Sequence, residues 1–299
     1  MILALLPDIH LRSSNPENRI DNYEESLWKK LRYIRDYPYK TKTTRPPDLV
    51  FLQPGDFFDG PIQSNALLSR CFDNLAHRTI YTVWGQHDMK YRTKGNTALD
   101  VLIAGEIVEF RASTMLTKQV VLYSCSYDEE IPEIEDPKDL NILLIHKMIV
   151  EEKIWEEQVE YTWANTILRQ TKFDLIVSGD NHQSFIVEHK NRLLVNCGSL
   201  MRTRKDQINH KPMFVIYDTD TRKYQKVYIP IKPAEEVFDM AMLEREKEKD
   251  ERLSAYVEGL MEGCEIGLDF KANLFAAIKT NKVNESVETI IKEAMQDGN

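Results

Sequence analysis

The sequence predicts an α/β layered fold, and three observations support this. Short apolar runs bounded by Gly, Asp, Pro or His recur through the first 180 residues, as expected of strands buried on both faces. Amphipathic helical patterns lie between these runs. A length of 299 residues, with 42% hydrophobic and 29% charged residues, suits a large domain with a smaller appendage. Alternating strands and helices favour the α/β class.

Six apolar runs are predicted to be central strands: Ile2–Leu6, Leu49–Leu52, Ile80–Trp84, Val120–Tyr123, Ile142–Ile145 and Leu175–Val177. Three helices are predicted from apolar residues that share one face: 23–34, 67–75 and the acidic-faced Ile154–Leu168. Turn residues between two later runs predict a hairpin that closes the sheet, formed by Met213–Tyr217 and Lys226–Ile229.

The end of the chain has a different character. From Glu235 it is charge-rich, and it carries apolar positions at helical spacing near 253–260 and 287–295. We therefore predict a catalytic domain over 1–233 and a helical C-terminal region over 234–299. This region is either a cap, a partner-binding element or a helix that packs within the molecule.

Composition restricts the functional classes. The net charge of −9 and pI of 5.4 give no global attraction to nucleic acid, so any contact with DNA requires a local basic surface or bound cations. The four cysteines are far apart and form no CxxC pair, which favours a reduced, cytoplasmic setting over a disulfide or zinc framework. The apolar stretch Ile2–Leu6 is too short for a signal peptide or membrane span, and we expect no membrane association.

Five predicted strands each end in residues that can hold a metal ion. Since the carboxyl ends of parallel strands meet at one edge of a sheet, we expect these side chains to converge. Four of the seven histidines lie at such ends, whereas His77, His189 and His210 are expected to be structural or solvated, with His210 near the site. Any one of these histidines alone is more readily explained as a core or surface residue. The candidates are Asp8, His10, Asp56, Gln86, His87, His146, Asp180 and His182.

Five motifs occur in a fixed order, namely DIH, GDFFD, GQHD, IHK and GDNH. Over about residues 1–230 this set resembles the calcineurin-like metallophosphoesterase superfamily. The resemblance implies a four-layer α/β/β/α sandwich and a phosphoesterase that uses two divalent metal ions. It also implies roles: Asp8, His10 and His182 at the first metal, Asp56 bridging, Gln86, His146 and Asp180 at the second, and His87 in catalysis with Asp88 orienting its ring.

Two residues depart from the family pattern, and both belong to the implied second metal site. Gln86 stands where the family has Asn, and Asp180 stands where it has His. The site thus has three carboxylates instead of two. Oxygen-rich ligation favours manganese, with magnesium as the alternative.

A second resemblance concerns the chain after the last motif. The segments 195–205 and 210–218 are similar to those of SbcD-type DNA repair nucleases from bacteria or phages. This resemblance implies a DNA exo- or endonuclease, an SMC-like ATPase partner docked on the C-terminal helices, and a homodimer. The residues Arg202, Arg204 and Lys205 would bind the DNA backbone, or else form a solvated basic loop.

Two other functions remain open. A nucleotide or other small-molecule phosphodiesterase, or a phosphatase, would use the same site chemistry. A non-catalytic scaffold with a relict metal site is the other alternative, because positions 86 and 180 differ from the family. The oxygen-donor replacements at these positions and the retained His87 argue against a scaffold.

Overall fold

The computed structural model describes residues 1–39, 49–76, 78–154, 158–204, 207–242, 244, 245 and 252. The chain divides into two compact units, Met1–Phe238 and Asp239–Asn299. The second unit is described only at 239–242, 244, 245 and 252, which are helical from 240, and the predicted helical stretches near 253–260 and 287–295 lie outside the described residues. His77 and Lys205 lie outside them as well.

The first unit contains thirteen described strands and four described α-helices. In chain order they are β1 (Ile2–Leu5), α1 (Tyr23–Asp36), β2 (Leu49–Gln53), α2 (Asn65–Leu75), β3 (Thr79–Thr82), α3 (Ala98–Ala104), β4 (Ser113–Thr117), β5 (Val120–Cys125), β6 (Leu140–His146), β7 (Ile149–Val150), β8 (Thr162–Trp163), α4 (Ala164–Gln170), β9 (Leu175–Gly179), β10 (Phe185–His189), β11 (Arg192–Asn196), β12 (Met213–Asp218) and β13 (Lys223–Tyr228).

The strands form two large sheets. The first has the order β13-β12-β1-β2-β3, with β1, β2 and β3 parallel and the later hairpin added antiparallel to β1. The second has the order β10-β11-β9-β6-β5-β4, with a parallel centre and an antiparallel strand at each edge. The short strands β7 and β8 pair separately.

Three apolar clusters separate four layers. Leu3 and Leu5 of the first sheet pack with Leu144 and Val177 of the second in a core between the sheets. The other face of the first sheet is covered by α1, α2 and α3, and the other face of the second sheet by α4. Alternate residues of each strand therefore enter different cores, as the pleat requires. The predicted α/β/β/α sandwich is confirmed.

Local signals fix the helices that cover the first sheet. The Asn22 side chain accepts a hydrogen bond from the backbone N–H of Glu25 at the start of α1. Ser64 caps α2 through the N–H of Leu67 in the same way. Such caps satisfy donors that the helix itself cannot, which explains why both helices begin where they do.

One predicted helix is largely wrong. Of Ile154–Leu168, only the part from Ala164 is helical in the described residues, and Thr162–Trp163 is extended and pairs with Ile149–Val150. Thr162 and Trp163 are β-branched and aromatic residues, which favour strands, and here they pair with β7. No helix among the described residues is long and apolar enough to cross a membrane.

Candidate metal centre and active site

The candidate residues lie at or just beyond the ends of strands, at one edge of the two sheets. Backbone hydrogen bonds hold these loops together: the N–H of Asp8 donates to Gly198, and the N–H of His10 donates to Asp56. His10, Asp56 and Asp180 have left-handed backbone conformations, with φ of 49°, 50° and 78°. This unusual conformation turns the backbone sharply after each of the three strands, so that the side chains face a common point.

Asp8, His10 and His182 form what we call the first cluster. Their ligand atoms lie within 4.8 Å of one another, and the Nε2 atoms of the two histidines are 2.9 Å apart. Asp8 is fully buried, and its Oδ2 accepts a hydrogen bond from the backbone N–H of Asp180. Its Oδ1 is buried without a hydrogen-bond partner, which is costly unless a cation binds it.

Gln86, His146 and Asp180 form the second cluster. The Nε2 of His146 is 2.7 Å from the Oε1 of Gln86, and the Nε2 of Gln86 donates to Asp180 at 2.9 Å. The Nδ1 of His146 lies 2.6 Å from the carbonyl oxygen of Pro54. A proton on Nδ1 would leave Nε2 as the ligand atom, which is how metal-binding histidines are commonly oriented.

Asp56 stands between the clusters. Its Oδ2 lies 3.7 Å from the Nε2 of His10 and 3.5 Å from the Nε2 of His146, and it has no hydrogen-bond partner. Its Oδ1 accepts the backbone N–H of His87 at 3.0 Å. One carboxylate oxygen therefore faces both clusters, as a bridging ligand must.

Two glycines make this close approach possible. A Cβ on Gly85 would collide with the Asp56 carboxylate, and a Cβ on Gly179 would collide with Asp8 and lie 2.9 Å from the His146 ring. Any larger residue would push a candidate ligand out of place. The glycines of the GQHD and GDNH motifs are thus needed for space.

Burial and the close approach of charged groups shift the pKa values of the site residues away from their usual ranges. Burial raises the pKa of Asp8 to about 8. For His146, burial lowers the pKa, but the Asp56 carboxylate outweighs it and raises the pKa to about 10. Burial and the neighbouring His10 lower the pKa of His182 to about 3. A buried carboxyl group keeps its proton when no cation is bound, because nothing compensates the negative charge of its ionised form. The raised pKa of Asp8 is therefore expected of a metal ligand in the metal-free protein.

These residues fit a pair of divalent cations. Two buried carboxylate oxygens without partners, on Asp8 and Asp56, point into the same small volume as three imidazole nitrogens and the Gln86 amide oxygen. Oxygen and imidazole donors in this mixture suit Mn²⁺, Mg²⁺ or Zn²⁺.

Comparison with known proteins gives the family. The family model for calcineurin-like phosphoesterases matches residues 1–184. The chain belongs to this family. No curated protein sequence matches the phosphoesterase significantly.

Solved structures with similar folds are distant in sequence. An archaeal phosphodiesterase is 14% identical, with 77% of this phosphoesterase and 100% of that chain covered and a TM-score of 0.41. Vps29 from Entamoeba histolytica, in complex with Zn²⁺, is 14% identical, with coverages of 76% and 99% and a TM-score of 0.35. Vps29 from Chaetomium thermophilum is 13% identical, with coverages of 78% and 97% and a TM-score of 0.35. Similarities this distant say nothing about the substrate of the phosphoesterase.

His87 of the phosphoesterase lies at the open side of the centre. Its side chain is 42% exposed, and its ring meets the His10 ring edge-on, with centroids 4.9 Å apart. Its Nδ1 is 3.4 Å from the carbonyl oxygen of Asp59. Because His87 is both accessible and next to the first cluster, it can reach a bound substrate.

The predicted role of Asp88 is wrong. Its carboxylate is buried and accepts three backbone N–H groups, from Phe57, Phe58 and Gly85, and does not contact the His87 ring. Asp88 therefore fixes the Asp56 and Gly85 loops relative to each other. Adjacent residues in this tight turn point in different directions, which the sequence did not reveal.

Two residues near the centre were not assigned roles from the sequence. Asp59 pairs with Arg12 at 2.6 Å and lies 3.5 Å from the Nδ1 of His10. Gln207 lies 3.5 Å from the Nδ1 of His182. Asp59 is the last residue of the GDFFD motif, so the sequence could have indicated that it lies near the site. Gln207 belongs to no recognised motif, and nothing in the sequence indicated its position.

The predicted phosphate-binding arginines differ from each other. Arg202 is 3% exposed, and its guanidinium donates to the carbonyl oxygens of Ile208 and Lys232, so it is structural and the prediction for it is wrong. Arg204 is exposed on the rim of the site. Lys205 lies outside the described residues.

Two clefts meet at the second cluster, and both are lined by Gln86 and Asp180. The histidine cleft, of about 620 Å³, is also lined by His87, His182, His210 and Arg204. The tyrosine cleft, of about 710 Å³, is also lined by Tyr127, Tyr161, Lys147, Asp128, Glu129 and Glu160. His210 borders the site as expected, and its Nε2 lies 2.7 Å from the carbonyl oxygen of Ser199.

Proposed function

We propose that the protein is a two-metal phosphodiesterase. The first cluster would hold one cation, the second cluster would hold the other, and Asp56 would bridge them. The observation that carries this proposal is the unpartnered Oδ2 of Asp56, which faces an imidazole of each cluster. When bound, two such cations neutralise a phosphodiester, generate hydroxide near neutral pH and stabilise the leaving oxygen.

His87 supplies the proton chemistry. Contact of its Nδ1 with the Asp59 carbonyl leaves Nε2 to exchange a proton with the leaving oxygen. Its own backbone N–H holds the Oδ1 of Asp56, so the proton donor and the bridging carboxylate are fixed by one short segment. The position of His87 at the cleft therefore follows from that of Asp56.

The metal is proposed to be manganese, with magnesium as the alternative. Asp180 adds an anionic oxygen donor where the family has an imidazole, and Gln86 adds a neutral one. Harder oxygen ligands favour these ions over zinc.

The substrate is proposed to be DNA, cut by an exo- or endonuclease that acts in repair, recombination or replication. Support comes from the histidine cleft, where exposed Arg204 stands near His182 and can pair with a backbone phosphate. The net charge of −9 makes such a local cation necessary. The SMC-like ATPase partner and the homodimer remain predictions from resemblance.

A small-molecule phosphodiesterase is the second candidate, and the tyrosine cleft favours it. Asp128, Glu129 and Glu160 line this cleft, so a polyanionic strand would be repelled along it. A diester of a single nucleotide, with its base against Tyr127 or Tyr161, would be accepted instead.

End-labelled single- and double-stranded DNA, tested with Mn²⁺, Mg²⁺ or chelator, distinguishes these candidates. A chromogenic phosphodiester serves as the small substrate, and His87→Ala as the catalytic variant. Mn²⁺-dependent DNA cleavage that is lost in His87→Ala is the expected result. Cleavage of the small diester alone would replace the nuclease with the second candidate. No cleavage of either, with both cations bound, would contradict the phosphodiesterase itself.

A further inference from the structure

A separate cavity of about 240 Å³ lies beside α1, away from the two catalytic clefts. It shares no lining residue with either of them. Its polar lining is dominated by five cationic side chains, with Asp21 as the one carboxylate among the described lining residues. The cations are Arg19, Lys29, Lys30, Arg202 and Lys232.

The charge of Asp21 is already compensated. Both of its oxygens accept from the Arg19 guanidinium at 2.8 Å, and Ser26 donates a further hydrogen bond. The Arg202 guanidinium donates to two backbone carbonyls, which carry no net charge. Lys232 has an exposed partner, Glu236, at 3.6 Å. The cavity therefore keeps an excess of positive charge.

Lys30 is the most constrained of these cations. Its side chain is buried, and its Nζ makes one hydrogen bond, to the carbonyl oxygen of Leu200 at 2.7 Å, although an ammonium has three donors. Burial, with Arg19 and Arg202 nearby, lowers the pKa of Lys30 to about 7. A buried ammonium beside two guanidinium groups is costly without an anion.

We propose that this cavity is a binding site for a small phosphate-bearing anion, separate from the metal centre. A tetrahedral phosphate offers oxygen acceptors to Lys30 at the base of the cavity and to exposed Lys29 at its mouth. Because Lys30 is buried, a compact anion reaches it and a DNA duplex does not. The anion is either free phosphate or the phosphate of a small monoester, and this site is independent of the proposed function.

The cavity is linked to the catalytic edge through the backbone. Lys30 binds the carbonyl oxygen of Leu200, and the N–H of Leu200 donates to the carbonyl oxygen of Asp8 at 2.8 Å. Arg19 likewise donates to the carbonyl oxygen of Arg202 at 2.6 Å. Lys30 is thus connected, through the peptide groups of Leu200, to the backbone of the first-cluster residue Asp8.

Isothermal titration of the full chain, freed of metal by chelator, tests this site with inorganic phosphate and with glycerol phosphate. Chelation removes the cations through which the metal centre would attract phosphate most strongly. The variants are Lys30→Met and Lys29→Gln, with Lys118→Gln in the exposed β4–β5 turn as the matched control. Circular dichroism checks that each variant is folded.

We expect one phosphate per chain, with affinity reduced about tenfold or more in Lys30→Met, less in Lys29→Gln, and unchanged in Lys118→Gln. Tighter binding of one probe identifies which kind of phosphate the site prefers. Absence of binding at about 10 mM of either probe, or equal affinities in all variants, overturns the proposal. If Lys30→Met is unfolded, Lys29→Gln against Lys118→Gln decides alone.

Discussion

The two ligand clusters differ in how completely they are satisfied without a cation. In the first cluster, Asp8 carries a buried oxygen with no partner. In the second, Gln86 already bonds both His146 and Asp180. A cation entering the first cluster relieves an unpaired carboxylate oxygen and replaces one contact, between the His10 and His182 rings, whereas one entering the second must displace both hydrogen bonds of Gln86 and relieves no unpaired group there. The comparison teaches that the two sites, although joined by Asp56, should bind cations with unequal strength.

Loss of the shared ligand should have the largest effect. Asp56→Asn replaces the bridging charge in both clusters, so we expect phosphodiester cleavage to fall on the order of 10³-fold and both cations to bind more weakly. Asp136→Asn, in the exposed acidic loop, is the matched control and should leave activity unchanged. Metal content and cleavage rate are measured together, and near-normal activity in Asp56→Asn would remove the bridge from the proposal.

The inequality itself is tested by one ligand from each cluster. We expect His182→Ala to weaken the tighter manganese site by about 10–100-fold, and Gln86→Ala to weaken only the looser site. Manganese titration followed by electron paramagnetic resonance resolves the two affinities. Equal losses at both sites in both variants would show that the clusters behave as one.

Restoring the family residue should alter the second cluster alone. Asp180→His removes one negative charge and adds an imidazole, so we expect the preference for Mn²⁺ over Zn²⁺ to fall by about tenfold, or ~1.4 kcal/mol. Competition between the two metals at the looser site measures this ratio. A larger change at the tighter site would reverse the assignment of Asp180.

Metal binding should strengthen as pH rises from 7 to 9. In the metal-free protein, the pKa values of Asp8 and His146 are raised to about 8 and about 10. Between pH 7 and 9 the folded state therefore binds more protons than the unfolded state, and the free energy of unfolding falls as pH rises. Cations displace those protons, so the Tm gain with Mn²⁺ should grow. Lys30, with a pKa lowered to about 7 mainly by burial, acts in the opposite direction but equally with and without metal. A Tm gain that does not change with pH would contradict this.

The smallest effect is expected at the rim of the first cluster. Arg204→Gln should weaken DNA binding a few-fold and lower the salt dependence by about one phosphate contact. Arg202→Gln should instead lower the Tm, since its buried guanidinium holds two carbonyl oxygens. Weaker DNA binding in Arg202→Gln, with a lowered Tm in Arg204→Gln instead, would show that Arg202 is the residue that contacts DNA.

The sequence predicted what local pattern and motif order determine. The buried runs became strands, and the residues after them, from Asp8 to His182, converge because parallel strands end at one edge. It did not predict groups whose roles depend on distant contacts. Gln207 reaches His182 by tertiary packing, and Asp88 turns inward to backbone donors. The extended Thr162–Trp163 was missed for the same reason, since its partner strand lies elsewhere in the chain.

The pairing of β1 determines when, during synthesis of the chain, the metal centre can be assembled. All five motifs occur by His182, yet β1 receives its second neighbour only from β12, and the N–H of Asp8 is held by Gly198. Until about residue 218 has left the ribosome, the first strand has an open edge, and until Gly198 has been made Asp8 lacks its final support. The catalytic centre is therefore completed late in synthesis, long after its first ligand has been made.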